Sequence, residues 1–328
     1  MKIKLHNFCL LVFCFQLTMA TGLLAQDSHL SQFSVSPVIL NPSQAGTQEK
    51  GDIRVVSQFR NQWNSVANKL STTTLAVDMP VNQKLGVGGY LITYDAAKSF
   101  NVFNFVLSGS YDVLSSHQKK HKLNMGLQLG LIYKSTTNDQ LVFDNQYVDG
   151  TFNTDLPSGE NIGKFSALMP EVNYGISYQN IEHRKKVRPY AGLAVFHLTH
   201  PKESFIRSQD SRLPLRYVFN GGAKIIASDE LIFDPKILIM RQRNAMEINA
   251  GFDGEYVVQP NTVSLLWGCY YRHKDAVIPM IGVDYKSILF KMSYDINISS
   301  LKAYSKSKGG IEFSLTFLGG KHHRSASK

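Results

Sequence analysis

Cysteine is scarce in this chain, and long apolar runs are confined to its start. The 328 residues hold three cysteines, Cys9, Cys14 and Cys269. The first two fall in an apolar leader. A chain trimmed of that leader keeps only Cys269 and forms no internal disulfide, which excludes a disulfide-braced scaffold. Neither Cys9 nor Cys14 follows the small residue that lipid attachment favours. Beyond the leader no stretch of about 18 apolar residues occurs, so transmembrane helices are excluded. Catalytic signatures are also missing. Gly86-Val87-Gly88-Gly89 has no following helix, so its small residues read as relief for curvature or close packing rather than as a phosphate loop. Serines and histidines occur, but no spacing groups a nucleophile with a base and an orienting residue. His197 and His200 at a strand end face opposite sides and do not readily share an ion. His322 and His323 sit in the tail. No enzyme activity, metal or cofactor is expected.

What is present begins with a basic start, Lys2 and Lys4, and an apolar run from about Phe8 to Leu24. This is the layout of a secretory signal peptide. The expected cut is Ala25/Gln26, although Leu23 stands where a small residue is preferred; Ala20 is the fallback. A retained membrane helix is the competing reading. The run is short, Gly22 and threonines interrupt it, and polar sequence follows at once, so cleavage is favoured. The formal charge of +10 loses Lys2 and Lys4 with the leader and becomes +8. These charges are scattered among turns, and export removes the chain from nucleic acid. Attraction to anionic surface glycolipid is the better reading of the basic excess.

The dominant pattern has period two. Leu123, Met125, Leu127, Leu129, Leu131 and Tyr133 alternate with residues such as Asn124, Gly126, Gln128 and Gly130. The same alternation runs through Val172–Tyr178, Ile288–Ile296 and Ile311–Phe317. A strand sends successive side chains to opposite faces, so each segment has an apolar and a mostly polar face. A soluble sandwich also alternates. Three features favour a membrane barrel: segments long enough to cross a bilayer when tilted, a second face of Gly, Asn, Ser and single charges suited to a wet lumen, and Tyr and Phe near strand ends as in interfacial girdles. The expected fold is all-β, a single antiparallel transmembrane β-barrel of about 14 strands. The strands are placed at 53–60, 72–79, 86–94, 102–112, 122–134, 170–181, 188–198, 214–226, 233–241, 245–257, 261–272, 277–286, 288–297 and 309–317. Pro235 and the stretch 240–244 blur the ninth and tenth. The longer gaps, 61–71, 135–169, 199–213 and 298–308, fall on one side. With the N-terminus in the periplasm, that side is the cell exterior.

The chain therefore divides into a signal peptide (1–25), a short N-terminal periplasmic segment or plug (26–50), an outer-membrane barrel (51–318) and a basic tail (319–328). Pro37 and Asn41-Pro42 preset an irregular backbone in the plug segment. That segment reads equally as a leader seating the first strand or as a docking strip. Asp284, Lys291, Asp295 and Glu312 project from adjacent closing strands opposite the lipid stripe, and an inward network of charges that rigidifies the lumen is expected there.

Residues 26–46, QDSHLSQFSVSPVILNPSQAG, closely resemble the opening of the PorP/SprF family of Bacteroidota outer-membrane proteins. The matching residues are Ser31, Gln32, Phe33, Pro37, Asn41, Pro42, Ala45 and Gly46. Arg60-x-Gln62-Trp63, Gly86–Gly89, Tyr190–Val195, Trp267–Arg272 with Ala276, Met292–Asp295 and Gly309–Glu312 resemble further family elements in the same order. Three departures stand out. Ser43-Gln44 replaces a usual aromatic, Ile311 a histidine, and the tail is longer. They bear on partner contacts more than on the fold. The resemblance implies a 14-stranded barrel working with the type IX secretion system in gliding motility or protein secretion. Its implied partners are that machinery and a large secreted adhesin or other cargo, with Ser31, Gln32, Phe33, Asn41, Pro42 and Gly46 as candidate partner contacts. A passive channel for small solutes is the alternative.

Overall fold

The computed structural model describes residues 29–48, 52–62, 70–96, 100–114, 120–136, 144–148, 150–153, 155–157, 165–203, 211–299 and 308–320. The leader, Trp63, His322, His323, much of 135–169 and the end of the tail lie outside them.

Alternation becomes a cylinder. The strands are β1 (Ile53–Gln62), β2 (Leu70–Pro80), β3 (Leu85–Ala96), β4 (Phe100–Asp112), β5 (His121–Thr136), β6 (Phe165–Asn180) and β7 (Val187–Phe196). They continue with β8 (Arg216–Ile226), β9 (Leu231–Gln242), β10 (Ala245–Gln259), β11 (Val263–Arg272), β12 (Ala276–Tyr285), β13 (Ile288–Asn297) and β14 (Lys308–Gly319). Each pairs antiparallel with its neighbours, and β1 closes on β14 from Ile53↔Gly319 to Gln62↔Gly310. The fold is thus the expected closed barrel of 14 strands. Closure leaves no unpaired strand edge, the condition for a sheet to sit in lipid.

The period-two faces separate as the sequence requires. On β5, Leu127, Leu129 and Leu131 point outward and stay about half exposed, while Asn124 and Gln128 are buried inside. Outward tyrosines collect at both rims. Tyr133, Tyr217 and Tyr271 lie at one end and Tyr111, Tyr256 and Tyr285 at the other, where an aromatic ring spans the lipid–water boundary. Pro235 lies in mid-strand. The β8–β9 ladder passes from Gly222↔Lys236 to Ile225↔Phe233 around it, because proline has no N–H to offer.

One end carries the start of β1 and the end of β14, Ile53 and Gly319, and the turns 81–84, 113–120, 181–186, 227–230, 260–262 and 286–287. The other carries the long connections 137–164 and 197–215 together with 63–69 and 298–307. The first is called the turn side below and the second the loop side. Connection 137–164 includes a two-stranded hairpin, Tyr147–Val148 with Thr151–Phe152. Connection 197–215 folds back by a Lys202↔Arg212 bridge and turns Leu213 into the lumen, 2% exposed.

Candidate functional site: a lumen occupied by the chain's own N-terminal segment

Residues 29–48 lie inside the barrel. They run from the loop-side half of the lumen, at His29, to the turn-side rim, at Gly46 and Gln48. Proline at the first position of the helical turn Pro37–Leu40 and Asn41-Pro42 ahead of a 3-10 turn, Pro42–Gln44, keep the segment folded short rather than extended.

Its first stretch is held by a buried ion cluster. Asp295 accepts hydrogen bonds from Arg60 at 2.8 Å, Arg272 at 2.6 Å and the Ser31 hydroxyl at 2.7 Å. Glu312 accepts from the backbone N–H of Ser31 at 2.7 Å and of Gln32 at 3.0 Å. The Gln32 side chain donates to Ser293 Oγ and the Glu312 carbonyl and accepts from Ser314. Gln58 donates to the Gln32 carbonyl. Arg60 also donates to the His29 carbonyl, 2.8 Å. Charges this deep are costly unless paired and fully hydrogen-bonded, and the plug backbone supplies some of the missing partners.

His29 sits where Arg272 Nη1 approaches Nε2 at 2.7 Å and Glu247 lies 3.5 Å from Nδ1. Arginine can only donate, so Nε2 accepts and Nδ1 carries the proton. Burial, then the Arg60 and Arg272 charges, hold the imidazole well below its ordinary pKa, so it is neutral.

The second stretch is held by shape. Phe33 meets Tyr270 edge-on at 5.4 Å within an apolar cluster with Phe196, Val218, Leu238 and Ile278. Asn41 Nδ2 donates to the carbonyls of Ile176 and Leu193, both at 3.2 Å, while its Oδ1 accepts from Ser43. The Ser43 hydroxyl reaches that of Ser177, 2.8 Å away, and Gln128 donates to the Val38 carbonyl at 2.7 Å. Backbone approach this close needs a wall without side chains. A Cβ on Gly126 would stand 2.3 Å from Pro42 C, and one on Gly175 2.0 Å from Asn41 Oδ1. Gly86 lies against Ala45 in the same manner, which is the close packing its strand suggested. Helical turn and 3-10 turn together touch β2 to β6, and the ion cluster holds the segment to β1, β11, β13 and β14. The plug therefore spans the lumen from wall to wall.

The candidate partner contacts lie within the plug. Ser31, Gln32, Phe33 and Asn41 are buried, Pro42 is buried, and Gly46 donates to Asp78 at 2.8 Å. In this chain those residues pack against the barrel's own wall. The four charges expected to cluster divide. Asp295 and Glu312 join around Arg60. Lys291 lies 3.8 Å from Asp253 in a separate group where Lys236 pairs with Asp234 and Asp253 at 2.8 Å each. Asp284 accepts from Ser287 N–H at the β12–β13 turn, at the turn-side end. Sequence reasoning missed the roles of Arg60, Arg272, Gln58 and Gln128. Gln58 and Gln128 signalled only as amides on lumen-facing positions, and Arg60 and Arg272 were matched to family elements without a role. His197 pairs with Glu171 at 2.9 Å, and no group of three metal-ligating side chains occurs among the described residues.

A family model described as type IX secretion system membrane protein PorP/SprF matches residues 23–317. No curated protein matches the chain. Among solved structures, the Ralstonia pickettii toluene transporter TbuX is similar at 10% identity over 85% of this chain and 92% of that one, TM-score 0.49. A Pseudomonas aeruginosa FadL homologue is similar at 9% identity over 85% and 93%, TM-score 0.46. The translocator domain of the autotransporter NalP from Neisseria meningitidis is similar at 12% identity over 82% and 88%, TM-score 0.40. Likeness at this level says nothing about what the chain handles.

Proposed function

The chain belongs to the PorP/SprF family of type IX secretion system membrane proteins, and on that premise we propose that it is exported by its N-terminal signal, inserts in the outer membrane, and helps the type IX machinery export or anchor a large secreted surface protein such as an adhesin. The turn side faces the periplasm and meets the machinery. The loop side faces the exterior, where connections 137–164 and 197–215 offer the surface for cargo. The family and the fold are those of secretion and transport barrels rather than of enzymes.

The observation that carries this reading is the occupied lumen. A passive solute channel needs a continuous wet path, and residues 29–48 bridge opposite walls with buried, bonded side chains. A barrel closed in this way serves better as a fixed partner than as a pore. Deleting the gene and comparing surface proteins tests it. We expect loss of one or a few large surface proteins, or of surface motility, and recovery of such a protein by pull-down through the loop side. An unchanged surface, with solute conductance in planar bilayers, contradicts the proposal and supports the passive channel.

A further inference from the structure

At the loop-side rim, the outer face of β9 ends in charge. Lys236 and Leu238 point into the lumen, so Phe233, Pro235, Ile237 and Ile239 point outward. They form an apolar stripe of the kind that lipid covers. The next outward position is Arg241, which is exposed. Its ladder partners are Tyr217, one of the outward rim tyrosines, and Met246, which is 59% exposed. A charge on a barrel's lipid face is costly at mid-membrane and nearly free at the interface. There the arginine stem lies on apolar surface and the guanidinium reaches the headgroups.

A second arginine joins it. Arg243 stands in the tight turn between β9 and β10 and is exposed as well. Its Nη2 donates to the Arg212 carbonyl at 2.9 Å, and Arg241 Nε donates to the Arg243 carbonyl at 3.4 Å. These bonds steady the two side chains and neutralise neither. Neither guanidinium meets a carboxylate among the described residues. Arg54, Arg60 and Arg272 differ, since each lies against an acid. Arg241 and Arg243 line one open recess of about 650 Å³, together with His200, Leu215 and Tyr217. Two cations turned to one space repel each other, and an anion seated between them relieves that repulsion. The planar guanidinium fork matches a phosphate group with paired hydrogen bonds.

We propose that this recess holds the phosphate of an outer-leaflet glycolipid, whose acyl chains lie against Tyr217, Ile239 and Met246. The proposal rests on the reading that the loop side faces the exterior. A free phosphate offers the same anion, but it leaves the apolar outward side chains beside the arginines uncovered. A lipid satisfies both halves of the site at one depth: charge at the headgroup level and apolar surface directly below it.

The test uses the full mature protein, freed of lipid in detergent, and native mass spectrometry of its lipid adducts. The probes are monophosphoryl lipid A and the same lipid without its phosphate. The wild type is expected to prefer the phosphorylated form about tenfold, the gain of charge-assisted hydrogen bonds at an exposed site. The double variant Arg241→Gln, Arg243→Gln loses that preference. Arg184→Gln with Lys286→Gln, which removes the same charge from the turn side, keeps it. Excess inorganic phosphate is expected to displace little of the lipid. Orientation is read separately, by an Asn244→Cys reporter in a Cys269→Ser chain, which a membrane-impermeant maleimide should label on intact cells. A labelled reporter with no phosphate preference, or with equal preference in the wild type and both double variants, overturns the site alone. Complete displacement by inorganic phosphate makes it a site for a free anion and overturns the lipid. An unlabelled reporter overturns the outward loop side, and the outer-leaflet lipid with it.

Discussion

Asp295 is the centre of the ion cluster, since Arg60 and Arg272 of the wall and Ser31 of the plug all converge on its carboxylate. Replacing it with alanine leaves two buried guanidinium groups without that counter-charge. Breaking a buried pair from one side costs about 3–5 kcal/mol. Asp295→Ala is therefore expected to unfold at markedly lower urea, followed by loss of the folded gel band. His29 adds a pH dependence. Its folded pKa lies below the ordinary 6.5, and the groups facing it are Arg60, Arg272 and Glu247. Above 6.5 the seated and released forms are both neutral and pH has no effect. As pH falls through 6.5, the released form takes up a proton that the seated form refuses, so seating weakens. Relative to a free thiol at the same pH, a Ser43→Cys reporter should react faster with maleimide at pH about 5 than at neutrality, and His29→Gln should remove that difference. At this scale the sequence was legible only in part. Asp295 and Glu312 were recognisable as inward charges. Asp284 was grouped with them because its strand is adjacent, yet it stands at the opposite end of the barrel, and depth along the axis is invisible until register is known.

The strands were the most legible elements. Alternation in β5, β6, β13 and β14 marks lipid-facing positions residue by residue, and even the strand interrupted by Pro235 forms where it was expected. Lipid rather than a protein core selects that pattern, so each strand declares it locally. Leu129, outward and near the middle of β5, supports a direct test. Leu129→Arg should destabilise the folded barrel in lipid by about 2–4 kcal/mol, whereas the cost should shrink toward the rims. The plug was far less legible. Its prolines showed an irregular segment, but the groups that receive it, Gly126, Gly175, Gln58 and Gln128, lie on three strands and come together only through pairing across the sheet. Gly126→Val places side-chain atoms where Pro42 now lies. It should unseat the plug and raise single-channel conductance in planar bilayers while the barrel remains folded.

For the whole molecule, strand parity, loop asymmetry and family combine into one picture. An even number of strands returns the start of β1 and the end of β14 to the turn side, the long connections gather on the other, and residues 29–48 close the passage between them. The claim on which the rest depends is that this segment resides in the lumen of the inserted protein. Ser43 and Ser177 hydroxyls lie 2.8 Å apart across the plug–wall contact, so cysteines at both positions, in a chain with Cys269→Ser, measure it in intact outer membranes. The account predicts rapid, near-complete disulfide formation on mild oxidation, detected as a link between the N-terminal segment and β6 after proteolysis. A folded barrel in which those two cysteines stay unlinked, and are labelled independently by maleimide, would contradict it.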